Sequence, residues 1–104
     1  MDIANKVAVI TGGASGLGEA TVERFCGLGA KVAIFDLNDE AGSALANRLG
    51  EDVAYFNVNV ADEDSVAAAL EGVKARFGDI HICCNYAGVG TPGRTLGRDG
   101  ALPL

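Results

Sequence analysis

The residues of this chain whose types and spacing suit a chemical task are three glycines, Gly12-x-x-x-Gly16-x-Gly18, and an aspartate further on, Asp36. The task is holding a phosphorylated nucleotide. A tight glycine turn lets backbone approach a diphosphate, and a helix starting there turns unpaired amides and the positive end of its dipole toward it. Gly12 suits the sharp turn, Gly16 the close approach, and Gly18 the packing of a new helix on a sheet. Ser15 and Leu17 lie within the same stretch, and Ser15 is either a phosphate contact or a helix cap. Glu19 stands where a Walker-type loop needs lysine, which sets this loop apart from that class. Asp36 closes an apolar run at close to the ~20-residue distance at which a carboxylate meets ribose hydroxyls in dinucleotide sites. The structural alternative for it is a turn-forming aspartate at a strand end.

The elements that must position these residues follow from hydrophobic periodicity. Val7 to Ile10 is a short β-branched run that reads as a buried strand. Leu17 to about Leu28 reads as a helix with Thr21, Phe25 and Leu28 on its inner face, ended by Gly27 and Gly29. Lys31 to Asp36 is a second strand. A helix follows, capped by Asn38 or Asp39, with Ala41, Leu45 and Leu49 inward and Gly50 as its stop. Val53 to Val60 contains a third strand, polar near its end at Asn57 and Asn59. Asp62 caps a third helix on which Val66, Leu70, Val73 and Phe77 form an apolar stripe, closed by Gly78. Ile80 to Cys84 is a fourth strand. The order β-α-β-α-β-α-β with short unalternating strands predicts an α/β, Rossmann-type doubly wound parallel sheet, of which this is the first part, with strand order 3-2-1-4. Val89 to Leu104, with glycines at 90, 93, 97 and 100 and prolines at 92 and 103, reads as a loop or tail. The expected organisation is a dinucleotide-binding segment over 1–88 and a glycine- and proline-rich tail over 89–104.

Composition narrows the function classes. The chain has 104 residues, enough for one small domain, with 49% apolar and 21% charged residues, as in ordinary globular proteins. A net charge of −6 and scattered Lys and Arg argue against a nucleic-acid surface. No apolar run approaches membrane-spanning length. The start, Met1-Asp2-Ile3, does not show the basic and apolar regions of a signal peptide. Cys26, Cys83 and Cys84 lack zinc-site spacing and read as buried free thiols in a reducing compartment, the cytoplasm. His81 has no ligating partner at metal-site spacing and reads as a structural histidine.

The stretch Thr11-Gly12-Gly13-Ala14-Ser15-Gly16-Leu17-Gly18 resembles the Thr-Gly-x-x-x-Gly-x-Gly cofactor motif of the short-chain dehydrogenase/reductase family in full. Asn85-Tyr86-Ala87-Gly88 is similar to its Asn-Asn-Ala-Gly motif, with Tyr86 in place of the second Asn. The resemblance runs from about Lys6 to Gly88, and within the family it looks most like the type 2 3-hydroxyacyl-CoA dehydrogenases. The Asp36-Leu37 pair contributes to that likeness. The resemblance implies NAD as cofactor: neither Ser15 nor Leu37 is a cation for a 2′-phosphate, and Asp36 would repel one. It also implies that Asn59 meets the adenine amino group where the family has Asp, while the Val60 amide meets a ring nitrogen. Local turn bonds are the alternative for Asn59. Asn85, Ala87 and Gly88 would lie against the ribose. Tyr86 breaks the pattern and puts in doubt the sheet-stabilising role of that second Asn.

Members of this family run to roughly 250 residues as one α/β domain, with a catalytic Ser, Tyr and Lys in the second half. The 104 residues contain no Tyr-x-x-x-Lys: Tyr55 is followed four positions on by Asn59, and Tyr86 by Gly90. The resemblance therefore implies an NAD-dependent oxidoreductase, moving hydride between NAD and an alcohol or 3-hydroxyacyl-CoA, of which this segment is the N-terminal, cofactor-binding half and is inactive by itself. The alternative is a naturally short, non-catalytic nucleotide-binding module. A strand-four edge left bare, or covered by another chain, is the expectation under truncation. The family also implies a small-molecule substrate and a homo-oligomer, dimeric or tetrameric.

Overall fold

The structure is a computed structural model and describes residues 3–14 and 16–86. Four parallel strands and three helices alternate: β1 (Val7–Thr11), α1 (Gly16–Gly27), β2 (Lys31–Asp36), α2 (Asp39–Leu49), β3 (Val53–Asn57), α3 (Glu63–Phe77) and β4 (Ile82–Asn85). The sheet order is β3-β2-β1-β4, all pairs parallel, as the sequence predicts. Because α3 carries the chain from one side of β1 to the other, the order reverses beside β1. In such sheets that reversal opens a crevice at the carboxyl ends of the strands.

The two faces of the sheet bury alternate residues. Ala8, Ile10, Val32, Ile34 and Val53 form one core with Val22 of α1 and Leu45 of α2. Val7, Val9, Ala33 and Phe35 form the other with Ala69 and Val73 of α3. The central strands β1 and β2 are therefore covered on both sides, which is why they read as continuous apolar runs rather than alternating ones. Ile10, Ile34 and Phe35 are almost wholly buried, each contributing roughly 1.5–3 kcal/mol of apolar burial. The Phe35 and Phe56 rings meet edge to face at 5.8 Å, a favoured aromatic geometry.

The caps follow local chemistry. Asn38 Oδ1 accepts the Ala41 amide, and Asp62 Oδ1 accepts those of Asp64 and Ser65. Gly50 and Gly78 end α2 and α3 at φ 98° and 95°, a region that glycine enters without penalty.

Three expectations are corrected. Leu28 is 48% exposed and does not belong to the inner face of α1. That face runs through Gly18, Val22 and Phe25, because the close seating of Gly18 turns the helix by that residue toward the sheet. The fourth strand runs Ile82–Asn85 rather than Ile80 to Cys84, since its pairing with β1 begins at Ala8 opposite Ile82. The cysteines are not buried: Cys83 is exposed, and Cys26 and Cys84 are half-buried. Among the described residues β4 pairs with β1 only, so its side chains lack a neighbouring strand on the other side. His81 is held structurally, its Nδ1 accepting the Val7 amide at 3.1 Å.

Candidate functional site

The glycine stretch leaves β1 at its carboxyl end and enters α1. Gly12 and Gly16 have φ of 70° and 60°, conformations that cost a residue with a Cβ about 1–2 kcal/mol. Gly18 is fixed by proximity instead: a Cβ there would lie 1.9 Å from the Gly12 carbonyl oxygen. A Cβ on Gly16 would meet no atom of the described residues beyond its chain neighbours within 4 Å. The first turn of α1 is thus seated on the loop through Gly18, while Gly16 faces open space at the helix start. Leu17, beside it, is 68% exposed. Ser15 lies outside the described residues.

Asp36 ties this loop to the end of β2. Its Oδ2 accepts the Ala14 amide at 3.1 Å, and its Oδ1 accepts the amides of Leu37 and Asn38 at 2.7 and 3.1 Å. A carboxylate offers about four lone-pair positions, so three amides leave acceptor capacity on this half-buried group. The Gly12 amide, in turn, donates to the Phe35 carbonyl at 2.7 Å. Leu37, 61% exposed, follows directly, and no cation of its own is offered there.

The end of β3 supplies the next part of the rim. Val60 is 37% exposed, and its amide has no hydrogen-bond partner among the described residues. Asn59 sits in a local turn: its Oδ1 accepts the Ala61 amide and its own amide donates to Ser65 Oγ, both at 3.0 Å. That leaves the Asn59 side-chain NH₂, a donor, without a partner among the described residues.

At the other side, Asn85 lies opposite Thr11 across the β1–β4 pair, and its Oδ1 accepts the Thr11 hydroxyl. The Tyr86 amide donates to the Thr11 carbonyl at 2.9 Å. The Tyr86 ring packs against the core under α1, and a 2.9 Å hydrogen bond joins its hydroxyl to that of Thr21. The ring therefore spans from β4 to α1, a bridge that an Asn at this position is too short to make. Ala87 and Gly88 lie outside the described residues.

The structure brings Gly12, Gly16, Leu17, Gly18, Asp36, Leu37, Asn59, Val60 and Asn85 to the carboxyl-end rim of one sheet. Sequence reasoning missed a polar group beside them. Tyr55 and Asn57 of β3 both donate to Asp39 Oδ1, at 2.6 and 2.7 Å. The Tyr55 hydroxyl holds the Asp39 carboxyl below the usual carboxylate range, with help from Asn57. Burial, then the bond to Asp39, pushes Tyr55 up to about 12. The available signal was the alternation of β3: Asn57 is polar two residues after Tyr55 and so on the same face. Among the described residues no group of three His, Cys, Asp or Glu side chains could hold a metal ion. No described helix is long and apolar enough to cross a membrane.

This arrangement can seat a diphosphate at the start of α1 and a polyol on Asp36, the two halves of a nucleotide. Comparisons with known proteins give the family. The chain is 44% identical over 84 residues to (+)-borneol dehydrogenase 1 of Salvia officinalis, covering 81% of this chain and 32% of that protein. It is 43% identical over 94 residues to 3-hydroxyacyl-CoA dehydrogenase type-2 of Drosophila melanogaster, covering 90% and 37%. The chain thus spans about a third of the length of these relatives. The crystal structure of 3-ketoacyl-(acyl-carrier-protein) reductase from Brucella melitensis complexed with NADH superposes with a TM-score of 0.76 at 34% identity, over 78% of this chain and 34% of that one. With the family model for short chain dehydrogenases matching residues 6–99, the chain belongs to the short-chain dehydrogenase family.

Proposed function

We propose that this chain forms the cofactor-binding part of an NAD-dependent oxidoreductase that transfers hydride between NAD and an alcohol or 3-hydroxyacyl-CoA substrate. The observation that carries the reading is the Asp36 carboxylate, bonded to the glycine-loop amide of Ala14 and retaining acceptor capacity. A ribose hydroxyl placed there meets a charged acceptor, and a 2′-phosphate meets a like charge. The solved reductase of the same fold was complexed with NADH, which supports the same cofactor here.

In this reading, residues 1–88 form the dinucleotide-binding segment and 89–104 a tail. Gly12, Ser15, Gly16, Leu17 and Gly18 receive the diphosphate, and Asp36 and Leu37 the adenosine ribose. Asn59 and Val60 meet the adenine, the free Val60 amide toward a ring nitrogen. Asn59 meets the adenine amino group through its side-chain oxygen, which accepts the Ala61 amide on one lone pair and keeps the other. Asn85, Ala87 and Gly88 lie along the ribose beyond β4. NAD supplies the redox chemistry, accepting or giving the hydride. These residues bind it and fix its orientation. Proton transfer is not assigned to these 104 residues, which contain no Tyr-x-x-x-Lys. We place the protein in the cytoplasm as a homo-oligomer acting on a small molecule. Identities of 44% and 43% to a borneol and a 3-hydroxyacyl-CoA dehydrogenase support the reaction type evenly across substrates. Calorimetric titration of the intact protein with NAD and NADP tests the reading. Tighter NAD binding supports it, and equal binding of the two cofactors removes the role given to Asp36.

A further inference from the structure

Tyr55 lies on β3 with its ring against α2. A Cβ on Gly42 would come within 2.2 Å of Tyr55 Cδ1, so the ring occupies the space that the missing side chain leaves. Seated there, the hydroxyl reaches the sheet rim, 2.6 Å from Asp39 Oδ1 and 3.0 Å from the Asp36 carbonyl oxygen. The one hydroxyl proton serves these two acceptors in turn, and the shorter contact is to the carboxylate. Asn57 Nδ2 donates to the same Asp39 oxygen at 2.7 Å. The Asp36 carbonyl also accepts the amide of the buried Val58 at 3.0 Å.

These contacts grip both ends of a short turn. Between Asp36 and Asp39 stand only Leu37 and Asn38, and it is their amides that clasp Asp36 Oδ1. The Ala14 amide holds one oxygen of the Asp36 carboxylate and this turn holds the other; β3 braces the turn from outside, through the Tyr55 hydroxyl and the Asn57 side-chain amide. Loop residues with few buried contacts move readily unless such groups hold them.

We propose that Tyr55 is a positioning residue for Asp36: by bonding Asp39 and the Asp36 carbonyl it holds the β2–α2 turn so that the carboxylate faces a nucleotide ribose. Asp39 is its anchor on α2. Tyr55 touches no ligand itself. The proposal rests on the reading of Asp36 as the ribose acceptor and adds a specificity-determining residue to it.

The test is a double-mutant cycle on the intact protein, reading NAD and NADP affinity by calorimetry and Tm for each variant. Tyr55→Phe keeps the ring over Gly42 and removes the hydroxyl. It is expected to weaken NAD about three- to tenfold while moving NADP less than about twofold. In an Asp36→Ala background the same change should move NAD less than about twofold, because the group it positions is gone. Asp39→Ala, at an exposed residue, should reproduce the NAD loss and add little to Tyr55→Phe. An equal NAD loss in both backgrounds makes Tyr55 merely structural and overturns the proposal. An inert Tyr55→Phe beside a weakened Asp36→Ala overturns it while leaving the cofactor reading intact. An inert Asp36→Ala removes the cofactor reading and the proposal with it.

Discussion

The Asp36 carboxylate accepts the Ala14 amide at 3.1 Å across 22 positions of sequence, joining the glycine loop after β1 to the turn after β2. One side chain thus serves two demands: it ties two loops together and, in the proposed role, accepts a ribose hydroxyl.

Asp36→Ala separates these demands. Loss of a charged acceptor for ribose should weaken NAD by about 1–3 kcal/mol. NADP should weaken much less, or improve, because the repulsion of its 2′-phosphate disappears as well. Calorimetry with both cofactors reads this. Equal losses for the two would assign Asp36 to loop stability alone.

Glycine substitutions should split by what a Cβ meets. Gly18→Ala places a methyl 1.9 Å from the Gly12 carbonyl oxygen, a backbone atom that cannot step aside. A loss of about 3 kcal/mol is expected, the upper end of overpacking costs. Gly27→Ala, within α1 and with nothing within 4 Å, should instead be neutral or stabilise by up to about 1 kcal/mol. Urea denaturation of the two variants checks the contrast.

Tyr86→Phe should cost about 0.5–1.5 kcal/mol, the scale of the lost Thr21 hydrogen bond, since the ring stays packed. Tyr86→Asn, which restores the family pattern, should cost more, because it vacates the bridge from β4 to α1. A Tyr86→Asn variant as stable as Tyr86→Phe would show that the ring adds nothing to that packing.

Alkaline pH should act through Tyr55. Its folded value is raised from 10.0 to about 12, so the folded state holds the proton more tightly than the unfolded chain. The resulting stabilisation is complete below about pH 10 and falls as pH rises through about 12. For Asp39, lowered by Tyr55 and Asn57, the sign is opposite: its contribution is present above the ordinary carboxylate range and is lost as pH falls through its folded value. Denaturation midpoints across pH for the wild type and Tyr55→Phe should converge at the alkaline end. A constant gap between the curves would exclude the titration of Tyr55 as its source.

The sequence by itself determined the alternation of strands and helices, the strand order, the caps at Asn38 and Asp62, and the glycine turn. These are legible because they rest on short-range physics: φ restrictions, capping bonds within three residues, and apolar periods that repeat over one element. Tertiary structure alone decided which helix face turned inward, so that Val22 took the place expected for Leu28. It alone exposed Cys83 on a strand with one neighbour among the described residues, and alone brought Tyr55 and Asn57 onto Asp39. Those outcomes depend on where a residue far off in sequence lies in space. The close seating of Gly18 on Gly12, which leaves no room for a Cβ, and the seat of the Tyr55 ring over Gly42 exist only once the helices have docked on the sheet.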